Sequence, residues 1–312
     1  MKVRMFRSKR VLSFLVGGAL IVLAGGVFLF SKRGAAQPKH LGLPLTTWLQ
    51  QYRSAPAVGG FLPVLLTAES DAAVKAIGTN AIPTLVQLMT RPDNALPRKM
   101  IDLLNHKRLP HAVSEMLYPF ISQYYNPPLA LLGFRALGAE ADGAIPALVA
   151  MLHSEDDFRF AVMALCTCGV NGATALTETF PSIGDPTLRS YVLDQLEYAV
   201  TPLVESHIAS FIGERMNAEP HPNTRMSAAR VLGTMTNSLS ITLPALTTAL
   251  GHRDLGVQFM AIDGLAHIGP EAADSSEALE SFLESDNPSL RRSATLALRS
   301  IQAEAEVTND EP

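Results

Sequence analysis

Residues 145–160 read IPALVAMLHSEDDFRF, and this stretch contains the parts from which the fold is built. Ile145-Pro146 opens an apolar run whose side chains recur at positions 1, 4 and 8, a one-sided helical stripe. Proline is harmless near a helix start, where its missing N–H would have no partner. A polar turn follows. Asp156 stands in it where an acid accepts the free N–H groups of the next helix. The opening returns as IPTLVQLM at 82–89 and as LPALTTAL at 243–250, with starts 63 and 98 residues apart.

The turn recurs more regularly than the helices. It is marked by Asp93, Asn126, Asp156, Asp185, Asn223, Asp254 and Asn287, at spacings of 33, 30, 29, 38, 31 and 33. A period of this size predicts a stacked array in which each unit buries its neighbour's apolar face. An arginine often follows at four residues, as in Asn94–Arg98, Glu155–Arg159, Asp185–Arg189 and Asn287–Arg291. That spacing puts it on the side of the cap, in reach of an acid of its own or a neighbouring unit. The helix after the turn is apolar on two sides, as in Val257, Met260, Ala261, Leu265 and Ile268. Gly78, Gly138, Gly233 and Gly269 are expected helix stops.

The IPxL stretches, the turn Asp or Asn with its trailing Arg, and the endings ALG (136–138) and HIG (267–269) resemble HEAT repeats. The likeness is closest to the short bacterial form seen in HEAT-like phycobilisome-lyase proteins and covers about residues 70–302. The stretch LGLPLTTWLQQYRS (41–54) also looks like the entry to such arrays in anchored bacterial proteins. The resemblance implies an all-α fold, a right-handed α-solenoid of roughly seven antiparallel helix pairs over residues 44–302. It further implies a protein-interaction scaffold whose concave surface is lined by the second helices. A lyase-like enzyme handling a tetrapyrrole is the alternative, by family analogy alone.

One transmembrane helix is expected ahead of the array. Residues 11–30, VLSFLVGGALIVLAGGVFLF, carry no charge. As a helix they span about 30 Å, the depth of a bilayer's hydrocarbon core. Residues 1–10 form a basic arm, 31–43 a polar linker and 303–312 an acidic tail. Residues 1–40 hold eight basic residues and no acid, which leaves 17 basic and 29 acidic residues, a net −12, in the rest. The positive-inside rule puts the amino terminus in the cytoplasm and the repeats in the periplasm or outside the cell. Secretion after signal cleavage is the alternative, opposed by the length of the apolar run and by Lys32-Arg33 after it. The acidic body argues against nucleic acid and for a protein or peptide partner of basic character.

No GxSxG, HExxH or phosphate loop is present, so no catalytic residue, metal or cofactor is assigned. His153, Glu155, Asp156 and Asp157 occupy the ordinary turn position. Cys166 and Cys168 lie two apart, point to different sides of a helix, and read as small apolar fillers. Trp48 reads as a cap on the first repeat.

The period fails in two places. The Asn126 unit lacks the IPxL stamp and gathers Tyr118, Tyr124 and Tyr125, three of the chain's six tyrosines, as candidate partner anchors. The 38-residue gap before Asn223 predicts extended helices around residues 192–216.

Overall fold

The computed structural model describes residues 37–54, 68–90, 127–199 and 201–302. The expected anchor (11–30), the basic arm, the acidic tail, and Asp93, Arg98, Tyr118, Tyr124, Tyr125 and Asn126 lie outside the described residues. Among the described residues, no helix is long and apolar enough to cross a membrane.

The chain enters through a two-residue-per-strand hairpin, β1 (Lys39–His40) and β2 (Leu43–Pro44), then α1 (Leu45–Ser54) and α2 (Ala68–Ile77). Residues 37–43, expected as linker, are therefore part of the fold. Pro38 O accepts from Leu45 N (3.0 Å), and Gln37 Oε1 accepts from Thr46 N (3.3 Å) and Oγ1 (2.8 Å).

Helices then alternate between two layers. The first layer holds α3 (Ile82–Thr90), α5 (Ile145–Met151), α7 (Gly169–Thr179), α9 (Pro202–Ala218), α11 (Leu239–Ala249) and the short α13 (Ser276–Glu280). The second holds α4 (Pro127–Leu137), α6 (Phe158–Thr167), α8 (Pro186–Ala199), α10 (Pro222–Gly233), α12 (Leu255–Ile268) and α14 (Pro288–Gln302). Each second-layer helix packs on the next, from α2 through α4, α6, α8, α10 and α12 to α14. This is an α-solenoid. Six helix pairs can be followed among the described residues, from α3/α4 to α13/α14.

The core is one continuous apolar seam running from Leu45 to Ile301 between the layers. Leu85, Phe134, Leu148, Leu165, Leu176 and Leu193 are fully buried along it. Each unit closes its neighbour's face, as the periodicity requires.

Some expected details are placed differently. Residues 91–126, outside the described residues, include the helix expected after Asp93; across them, α3 packs on α4. Leu85 fits against Gly133, where an added Cβ would lie 2.4 Å from its Cδ2. The LPALTTAL stretch does not open α11. The helix starts earlier, at Leu239, and Pro244 sits inside it. The missing N–H of Pro244 would have bonded the carbonyl of the exposed Ser240, which water can satisfy. Gly78, Gly138 and Gly269 stop helices with left-handed φ of +61°, +59° and +76°. Gly233 is the last residue of α10, as expected, and it also lies against Gly264 of α12. A Cβ there would meet the Gly264 Cα at 2.6 Å, so the glycine pair sets how closely the two helices approach.

Candidate partner-binding surface

The turns are built as expected at three positions. Asp185 Oδ1 accepts from Thr187 N (2.7 Å), Asp254 Oδ1 from Gly256 N (3.0 Å), and Asn287 Oδ1 from Ser289 N (2.9 Å). At two positions the cap has moved by a residue or two. Asp157, not Asp156, is the residue before α6, and its side chain makes no cap bond there. His221 precedes α10, so Asn223 lies within the first turn.

The arginines divide into separate tasks. Arg189 reaches forward to Glu219 in the next unit's turn (3.4 Å), as the spacing suggested. Arg291 donates to the Ser285 carbonyl rather than to an acid. Arg159 lies over the Tyr191 ring, 4.7 Å from its centroid.

A clearer rule emerges at the fourth residue of successive second-layer helices. Arg225 Nη1 donates to Glu219 O (2.7 Å), Gln258 Nε2 to His252 O (2.8 Å), and Arg291 to Ser285 O. Each reaches the carbonyl six residues back, and the three positions are 33 residues apart. The side chain thus closes its own turn. Arg225 adds a tie to the following turn, Nη2 to Asp254 Oδ2 at 2.7 Å. One unit on, the corresponding positions are Gln258 and Asn287, both neutral.

The first layer has its own tie, which sequence reading missed. Glu205 of α9 is fully buried. Its carboxylate accepts from Asn237 N (2.7 Å), Asn237 Nδ2 (2.8 Å) and Ser238 N (2.7 Å) at the head of α11. These N–H groups lack helical partners, and a buried carboxylate needs donors, so each satisfies the other. The same bonds explain the early start of α11.

Among the described residues, the stretched unit carries the most exposed large apolar side chains outside the entry hairpin. The 38-residue gap predicts extended helices; α9, with 17 residues, is longer than the other described helices, while α8 has 14, the same as α12. Tyr191, Asp194 and Tyr198 share one side of α8 by their spacing. Arg159 from α6 covers Tyr191 on that side. Arg230 from α10 pairs with Asp194 (2.7 Å) and with Glu197. Past this bridged strip, Tyr198 is 81% exposed, and Leu203, across the connection at the start of α9, is 69% exposed.

Enclosed chemistry is sparse. A hollow of about 130 Å³ between Leu152, His153, Phe158, Ser182 and Asp185 is smaller than the roughly 300–1,000 Å³ typical of ligand sites. Among the described residues, no group of three or more His, Cys, Asp or Glu could hold a metal ion. Cys168 is buried and its Sγ faces Ala164 O at 3.3 Å. Burial and then the Asp142 charge push its thiol up to about 12 against a smaller opposing effect of Thr167, which fits an apolar filler.

Residues 209–299 match the family model of HEAT repeats, a span from within α9 to within α14. No curated protein matches. Among solved structures, an engineered protein is 18% identical, over 71% of this chain and 96% of its own, with a TM-score of 0.41. A designed armadillo repeat protein is 16% identical, over 70% of this chain and 99% of its own, with a TM-score of 0.39.

Proposed function

We propose that this chain is a membrane-anchored interaction scaffold. Residues 11–30 hold it in the membrane, and the repeat body faces the periplasm or the cell exterior. It captures a protein or peptide partner on the face formed by the second-layer helices. Tyr198 carries this reading, as an aromatic side chain 81% exposed on a second-layer helix. Tyrosine is among the residues most often central to interfaces, because it brings a large rigid surface at small entropic cost. Tyr198 and Leu203 also lie in a unit where the period is broken, and departures in a repeat array tend to cluster on its binding face. Tyr118, Tyr124 and Tyr125, in the other irregular unit, are proposed as further anchors. The net −12 beyond residue 40 favours a partner with basic character.

A photoreactive residue placed at 198 or 203 of the full chain, in its own membranes, tests this. The reading expects the same discrete adduct from both positions and none from Leu296, an exposed leucine on α14. Identical adducts at all three positions, or none at 198 and 203, would overturn it. A reporter after Pro312 that is active only in the cytoplasm would contradict the orientation.

A further inference from the structure

The entry hairpin carries an apolar tip that the repeat array does not use. Leu41 and Gly42 form its two-residue turn, both in the left-handed region at φ +49° and +80°. Such turns take Asn, Asp or Gly at these positions, because a Cβ is strained there. Leucine at position 41 is unfavourable twice over: its backbone is strained, and its side chain is 80% exposed. Leu43 beside it is 41% exposed. The base of the hairpin is held firmly. His40 pairs with Leu43 across the strands, Trp48 Nε1 donates to His40 O (3.2 Å), and the Gln37 amide oxygen accepts from Thr46. A strained, exposed leucine on a fixed mount is what an insertion point requires.

The surroundings favour a lipid surface over other occupants. No acidic residue occurs before Glu69, while Lys39 of β1 stands next to the tip. The tip is also tethered. Leu41 follows the apolar segment 11–30 by eleven residues, a reach of roughly 40 Å at most. We infer that Leu41 and Leu43 insert into the interfacial layer of an anionic bilayer, docking the first-repeat end of the solenoid on the membrane that anchors it. This rests on the reading that residues 11–30 span that membrane. Insertion buries the two leucines and sets Lys39 among anionic headgroups.

Trp48 is the chain's single tryptophan and reports on the tip directly. The full chain is reconstituted in vesicles of neutral lipid, with or without anionic lipid, carrying bromine at a shallow acyl position. The inference expects Trp48 fluorescence to be quenched, more strongly with anionic lipid. Leu41→Ser with Leu43→Ser should reduce the inserted population about tenfold or more while the chain still floats with the vesicles. Leu41→Gly should melt higher than the parent, its backbone strain relieved, yet quench less. Vesicle-bound protein with no quenching, or with quenching unchanged in the serine variant, would overturn the inference and leave the anchor standing. Protein that does not float with the vesicles would overturn the anchor, and this inference with it.

Discussion

The Arg225 guanidinium lies 2.7 Å from the Asp254 carboxylate, bridging the turns of two successive units. The same guanidinium donates to Glu219 O at 2.7 Å and to Pro220 O at 2.9 Å. One side chain therefore closes its own turn and fastens the next. Removing it should cost more than removing its acidic partner. Arg225→Ala is expected to lose about 3 kcal/mol and Asp254→Asn about 1–2 kcal/mol. The double variant should be less destabilised than the sum, measured by chemical denaturation. Additive losses would mean that the pair does not couple.

The same pair sets a dependence on acid. Burial alone would raise the Asp254 carboxyl, but the Arg225 hydrogen bond and the Gly256 N–H, with the charges of Arg225 and His252, hold it below the usual range. Its contribution is therefore complete above the unfolded value of about 3.9 and is lost as pH falls through the lower folded value. Between about pH 5 and pH 2, the parent should lose more stability than Asp254→Asn. Parallel melting curves across that window would refute the assignment.

Gly233 and Gly264 allow α10 and α12 to meet backbone to backbone. A Cβ on Gly233 would stand 2.6 Å from the Gly264 Cα, and one on Gly264 would stand 2.8 Å from the Gly233 Cα. Each alanine substitution should cost about 2–3 kcal/mol by forcing the helices apart. Gly251→Ala, whose new Cβ would have Thr248 O as its nearest neighbour at 3.6 Å, is the control and should be close to neutral. Thermal melts of the three variants compare them directly.

Cys168 should be chemically silent in the folded chain. With its thiol pushed up to about 12, the thiolate fraction at pH 8 is on the order of 1 in 10,000. Iodoacetamide at pH 8 should leave Cys168 unmodified in the native protein and alkylate it in denaturant, as read by mass spectrometry. Rapid native modification would show that the site is open or that the thiol is activated.

Much of the architecture is legible in the sequence, because stacking imposes a period. The turn residues Asp185, Asp254 and Asn287, the glycine stops at Gly78, Gly138 and Gly269, and the lengthened α9 before Asn223 all follow from local chemistry. What the sequence hides is contact between units. Glu205 lies between Val204 and Ser206 on an ordinary-looking helix, and only the arrival of Asn237 and Ser238 from the next unit makes it a buried cap. Gly233 reads only as a stop, and its close approach to Gly264 appears when the two helices are brought together. The sequence does carry one signal of the turn closures: Arg225, Gln258 and Arg291 recur every 33 residues at the position that closes each turn. The candidate surface was half legible. The broken period pointed to the stretched unit, but the exposure of Tyr198 and Leu203 depends on how α8 and α9 pack.

The central claim is that the body is a stack stabilised between neighbours, not one closed globule. Hydrogen exchange of Glu205→Ala tests it most directly. The substitution unties the N–H groups of Asn237 and Ser238, at an expected cost of about 3 kcal/mol. In a stack, exchange should accelerate in α9, α10 and α11 and fade with distance along the array, leaving α2 to α6 protected as in the parent. A uniform loss of protection from α2 to α14 would contradict it.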